Sequence, residues 1–178
     1  MTTWVYVDES KRAGYVLAAT AVADPEAARK VVRGLIVPGR RRLHMHNETA
    51  RRRLIVVSTL TAMPLAVRIY DAARRYPTEH EARAACLAAL VEDLADSAGD
   101  THVVIERDDS LVRADQTVLY RAIRRAHRAG LPGAVHYDHQ LPHEDLLLAL
   151  PDVAAWCWVR SAEWRRRIGP ILTSVCQV

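Results

Sequence analysis

Trp4-Val5-Tyr6-Val7 is an apolar, β-favouring run that closes on two adjacent carboxylates, Asp8 and Glu9. β-Branched and aromatic residues at this density suit a strand in a sheet interior, where an ionised carboxylate is costly unless something pairs with it. The two acids therefore open a solvated turn with Ser10, or they face a cation. Hard divalent ions such as Mg²⁺ or Mn²⁺ take oxygen ligands of this kind. The run alone leaves both readings open.

The pattern that follows alternates between strand and helix. Residues 3–8 and 14–22 read as strands joined in a hairpin through Glu-Ser-Lys-Arg-Ala-Gly. Asp24-Pro25-Glu26 carries a helix-start signature, and that helix is expected to reach about Gly34. Leu43-His44-Met45-His46 has the look of a short strand. Asn47 then caps a helix through Leu60, with Leu54, Val57, Ser58 and Thr61 on one face and Pro64 after it. Residues 65–70 alternate as a half-buried strand does.

Tyr76-Pro77-Thr78 leads into a long Ala-rich helix ending near Gly99, and 101–106 is a further central strand closing on Glu106. Asp115 begins a helix with Val118, Leu119, Ala122, Ile123 and Ala126 inward and Arg121, Arg124, Arg125 and Arg128 outward. Gly130 to Gly133 stops it, 134–137 is a short strand, and 151–167 reads as a last helix. With no repeat and no linker, the expectation is one α/β domain over residues 1–178, a mixed sheet flanked by helices.

The formal charge is +4, and of 25 basic residues only Lys11 and Lys30 are lysines. Arginine grips phosphate through a planar fork, so the bias suits nucleic acid, although GC-rich coding produces it too. Arg40 to Arg42, Arg51 to Arg53, the 121–128 stripe and Arg165 to Arg167 are the basic clusters; a charged outer helix face also serves solubility alone. Arg51, Arg52 and Arg53 are the best substrate contacts, because with Arg40 to Arg42 they bracket His44 and Glu48. Cys86, Cys157 and Cys176 have neither disulfide nor zinc spacing and read as reduced thiols. Charges at Asp8, Glu9, Lys11 and Arg12 interrupt the N-terminal apolar run, and no stretch approaches the roughly 20 apolar residues of a span. A soluble cytoplasmic protein is expected. Trp156, Trp158 and Trp164 suit a core or a homodimer contact better than base stacking.

Four acidic places stand out: Asp8-Glu9, Glu48, Glu106 to Asp109, and Asp152. Each has an ordinary structural explanation. Glu48 and Asp152 suit the first turns of helices, and Asp108 and Asp109 suit a loop. Together, carboxylates from two central strands and a helix can hold one or two divalent ions; a pair about 3.5–4 Å apart activates water and steadies the leaving oxygen of a phosphodiester.

Tyr6-Val7-Asp8-Glu9-Ser10, followed by a second apolar strand, resembles the opening of a large bacterial domain family with a Tyr-hydrophobic-Asp-Glu-Ser motif and a ribonuclease-H-like fold. Leu43-His44-Met45-His46-Asn47-Glu48, Val103-Val104-Ile105-Glu106-Arg107 and Leu150-Pro151-Asp152-Val153-Ala154-Ala155-Trp156 are similar to its later segments, in order. Lys11 stands where members often have Gly, and Pro151 where Ala is usual. The resemblance implies a metal-dependent nuclease site built from Asp8, Glu106 and Asp152, with Glu9 or Glu48 as a fourth acid and Mg²⁺ or Mn²⁺ as the cofactor. His44 and His46 flank this region; a His there shuttles protons, or else lies on a strand face outside the site.

The function expected is hydrolysis of RNA or DNA phosphodiester bonds. Its rivals are a catalytically inactive nucleic-acid- or protein-binding module of the same fold, as in toxin–antitoxin or phage-defence systems, and action on a small phosphorylated molecule.

Overall fold

The computed structural model describes residues 2–178. Six strands form one mixed sheet: β1 (Thr3–Ser10), β2 (Tyr15–Val22), β3 (Leu65–Ala73), β4 (Gly99–Glu106), β5 (Gly133–Gln140) and β6 (Leu172–Gln177), in the order β5-β4-β1-β2-β3-β6. β1, β2 and β3 form an antiparallel meander, while β4 runs parallel to β1, β5 to β4 and β6 to β3. Parallel neighbours need long crossovers, and helices supply them. The helices are α1 (Pro25–Leu35), α2 (Ala50–Thr61), α3 (Glu79–Asp96), α4 (Val112–Arg128), α5 (Ala149–Arg160) and α6 (Ala162–Ile168).

Side chains alternate across a strand, so the sheet divides the core in two. Tyr6, Ala18, Ile69 and Val104 face one layer with Val32 of α1, Val57 and Leu60 of α2 and Val153 of α5. Val5, Val7, Leu17, Val103 and Ile105 face the other, with Leu87 and Leu90 of α3 and Leu119 of α4. Burying each such side chain contributes about 1.5–3 kcal/mol. The expected α/β architecture of a mixed sheet flanked by helices is therefore present. Among the described residues no helix is long and apolar enough to cross a membrane, and all three cysteines are free.

Several local expectations change. Asp8 and Glu9 do not open a turn: they lie within β1, opposite Ala18 and Leu17 of β2. The hairpin closes later, at Gly14, whose φ of +110° and close approach to the Ala73 carbonyl exclude a Cβ. Residues 43–46 are not a strand; Met45–Asn47 is a 3₁₀ turn with Met45 buried. Thr49, not Asn47, caps α2, and that helix buries Val56, Val57 and Leu60 while Leu54 is exposed. α4 starts three residues before Asp115, which is buried. The expected last helix is two helices, broken at Ser161, whose extended backbone frees its side chain to cap α6 at the Trp164 N–H. β6 is an addition at the sheet edge.

Candidate acidic site

β1 and β4 are parallel neighbours with Val7 opposite Ile105, so Asp8 and Glu106 follow side by side, one residue beyond the last ladder pair. Alternation puts both on the face of Tyr6 and Val104, where α5 packs across β1 and β2. Asp152 lies in the first turn of α5. Two strands and a helix thus bring three acids to the same end of one face.

Asp152 is already engaged. One carboxylate oxygen accepts the Met45 N–H at 2.8 Å and the other lies 3.1 Å from His44 Nδ1. This explains the 3₁₀ turn: Asp152 anchors the segment that a strand pattern alone would have extended. Asp8 accepts the N–H of Glu9 at 2.7 Å, and Glu106 meets Arg42 at 3.4 Å.

Burial, followed by the charges of Glu106, Asp152 and Glu9, holds the Asp8 carboxyl well above its ordinary range. Glu106 is also raised, chiefly by burial and then by Asp152 and Glu9, although Arg42 opposes this. The hydrogen bond to Asp152 raises His44 against its partial burial. The neighbouring carboxylates are thus close enough to oppose the ionisation of Asp8 and Glu106.

Asp8, Asp152, His44 and His46 line a cavity of about 340 Å³ with Lys11, Arg12 and Arg160. A second concavity, of about 480 Å³, shares His44 and is lined by Arg40, Arg41 and Arg42. Basic residues therefore flank the acids from both sides.

Comparison with protein-family models and with curated proteins gives no match to this chain. The chemistry of the site has to be read from its own residues.

Other expected site residues have partners of their own, although Glu9 lines the cavity with Asp8. Glu9 pairs with Arg83 of α3 at 2.5 Å, and with Lys11 at 3.7 Å. Glu48, with a side chain only 2 % exposed, is held by Arg40 at 3.0 Å and Arg52 at 2.6 Å, not by the other acids. Arg52 also donates to the Leu35 carbonyl. Arg53 donates to the Met45 and His46 carbonyls at 2.9 Å and covers the Trp156 ring at 4.8 Å. Arg52 and Arg53 thus hold the 45–48 segment in place; of the expected substrate triplet, only Arg51 is exposed and without a side-chain partner among the described residues. Trp156 is further flanked by Arg160 and, edge-on at 5.0 Å, by Trp164.

Lys11, Arg12 and Arg160 were not legible as site residues. The first two read as a hairpin turn and the third as the interior of one long last helix; the sole signal was that Lys11 and Arg12 closely follow Asp8.

Among the described residues, no group of three or more His, Cys, Asp or Glu side chains is arranged to hold a metal ion. The carboxylates are turned to protein partners: Asp152 to Met45 and His44, Glu106 to Arg42.

Proposed function

We propose that this protein is a divalent-metal-dependent nuclease that hydrolyses phosphodiester bonds of RNA or DNA, on a ribonuclease-H-like fold. One observation carries the reading: Asp8, Glu106 and Asp152, from the first strand, its parallel neighbour and a late helix, face the same side, where burial and then the neighbouring carboxylates raise the proton affinity of Asp8 and Glu106. Acids gathered at such a cost suit a cation.

The donor set fits Mg²⁺ or Mn²⁺, since every candidate ligand is a carboxylate oxygen. Asp8, Glu106 and Asp152 would hold the ion, after Glu106 exchanges Arg42 and Asp152 Oδ2 releases the Met45 N–H while Oδ1 keeps His44. A bound ion supplies charge neutralisation at the phosphate and a more acidic water. The chain's own residues do the rest. Arg40 to Arg42 on one side, and Lys11, Arg12 and Arg160 on the other, bind phosphates flanking the scissile bond. His44 Nδ1 is tied to Asp152, which leaves Nε2 to take or give a proton in the cavity.

A second reading has its own observation. Arg42 already neutralises Glu106, and Asp152 is satisfied by Met45 and His44, an arrangement that suits a catalytically silent module binding nucleic acid through the same basic rims.

Purified protein incubated with labelled RNA and DNA of equal sequence separates the two. The nuclease reading expects cleavage only with Mg²⁺ or Mn²⁺, its loss in Asp8→Asn, and retained binding in that variant. Replacing Arg41 and Arg12 together should weaken binding and reduce the slope of log affinity against log salt by about 0.7–0.9 for each phosphate no longer neutralised. Binding by wild type with no cleavage of either polymer under any of these ions selects the binding module.

A further inference from the structure

The opposite face of the sheet carries a second constellation that the acidic site does not use. At the carboxyl ends of β4 and β5, Arg107, Arg113, Tyr137 and His139, together with the acids Asp109 and Asp138, line an open concavity of about 740 Å³. Strand carboxyl ends in α/β sheets are where ligands settle, because the crossover loops part there.

His139 is the fixed point of this concavity. Its side chain is 7 % exposed, and its Nε2 lies 3.1 Å from Asp115 Oδ2. Asp115 is itself clamped by two parallel bonds from Arg83, at 2.7 and 2.8 Å, and Arg83 reaches on to Glu9 and the Tyr15 hydroxyl. The imidazole therefore has a set orientation and a set partner. Nδ1 has no hydrogen-bond partner among the described residues, and the His139 side chain lines the concavity. A buried imidazole locked at one nitrogen and free at the other is arranged to meet a ligand.

The charges around it favour an anion. Arg113 is exposed and has no side-chain partner among the described residues. Arg107 is paired with Asp109 at 2.7 Å, but the Asp109 side chain is 80 % exposed. An ion pair that open contributes at most about 1 kcal/mol, so an incoming oxyanion can displace it. Asp138, the other acid lining the concavity, has its Oδ2 bonded to His102 at 2.7 Å, while its buried Oδ1 has no partner among the described residues. The seventeen-residue α4 begins at the concavity, through Val112 and Arg113, and adds the positive end of its dipole.

We propose that this concavity binds a single phosphate group, with His139 Nδ1 at its floor and Arg113 and Arg107 at its rim. One proton lies between Nδ1 and a phosphate oxygen, whichever of the two carried it beforehand. The Tyr137 ring, edge-on to His139 at 6.2 Å, walls one side. The site stands apart from the acid cluster and needs no metal. Its phosphate comes either from free inorganic phosphate or from a nucleic acid strand.

Histidine side-chain ¹H–¹⁵N spectra, recorded in EDTA at constant ionic strength, test this. Inorganic phosphate is the first probe and a 5′-phosphorylated oligonucleotide the second. The His139 Nδ1 signal should shift saturably with at least one of them. Arg113→Gln should weaken that response about tenfold, the value of one charged hydrogen bond. Asp8→Asn, which removes the acidic site but not this one, should titrate as wild type. Saturation by inorganic phosphate identifies a free-anion site; saturation by the oligonucleotide alone identifies a strand contact. A His139 signal unmoved by both probes, or an Arg113→Gln response equal to wild type, overturns the proposal, whatever the outcome of the cleavage assay.

Discussion

Asp8 and Asp115 are both acids in polar clusters on β-sheet faces, yet their surroundings act in opposite directions. Burial alone would raise Asp115, but hydrogen bonds from Arg83 and His139 hold it below the ordinary range. Asp8 has burial and three like charges against it, with the Glu9 N–H opposing them. The first is a satisfied structural ion and the second is a strained one. Asp8→Asn keeps an oxygen to accept the Glu9 N–H and removes the charge. That substitution should therefore raise the melting temperature of the metal-free protein at neutral pH while abolishing any metal response. A merely structural Asp8 would give the reverse, a variant that melts lower in EDTA. The difference between the two acids was partly legible in the sequence. Arg83 lies on the apolar stripe of α3 with Leu87, Leu90 and Leu94, and an Arg in that register demands a buried acid. Which acid it meets was not legible, because Asp115 is 32 residues away on another helix.

Local signals recovered elements where the chain's own neighbours decide the structure. Asp24 and Thr78 cap α1 and α3 as their sequences suggest, with Thr78 and Glu81 forming a reciprocal capping box. They failed where distant partners decide. β6 is mostly exposed and lacks a strand's apolar alternation; it forms because the β3 edge accepts it. The 43–48 segment is shaped by Asp152, Arg53 and Arg52. Its clamp is asymmetric: Glu48 is sealed, whereas the Arg52 and Arg40 side chains are 32 % and 45 % exposed. Removing the carboxylate with Glu48→Met leaves two arginines that water can solvate, whereas Arg52→Met leaves a sealed carboxylate with one exposed partner and strips the Leu35 carbonyl of its donor. Arg52→Met should thus approach the 3–5 kcal/mol lost, in broad terms, when a buried pair is broken, about twice the cost of Glu48→Met. Urea unfolding of both variants measures this. Equal losses would mean that the clamp is an ordinary surface pair.

At the scale of the whole molecule, the sheet joins two polar constellations through one strand: Asp8 faces α5, and its neighbour Glu9 meets Arg83 on the other side. The order of acids along the chain was legible because strand ends and helix starts carry recognisable patterns; their mutual approach was not, since it depends on the β1–β4 register. That approach has a pH signature. Asp8 and Glu106 bind protons more tightly when folded than when unfolded. The stability they contribute is therefore complete below the unfolded-state values near 4 and is lost as pH rises through the raised folded values. A cation that binds only the deprotonated, folded site restores it. Mg²⁺ at ten times its dissociation constant adds about 1.4 kcal/mol, or roughly 3–6 °C for a chain of this size. The increment should vanish at acid pH, where protons occupy the carboxylates, and grow as pH rises through the folded values. Melting curves across pH 4–8, with and without Mg²⁺, measure it in wild type and Asp8→Asn. An increment that is flat with pH, or equal in the two proteins, would mean that the ion binds elsewhere and that the acids are held apart only by their protein partners.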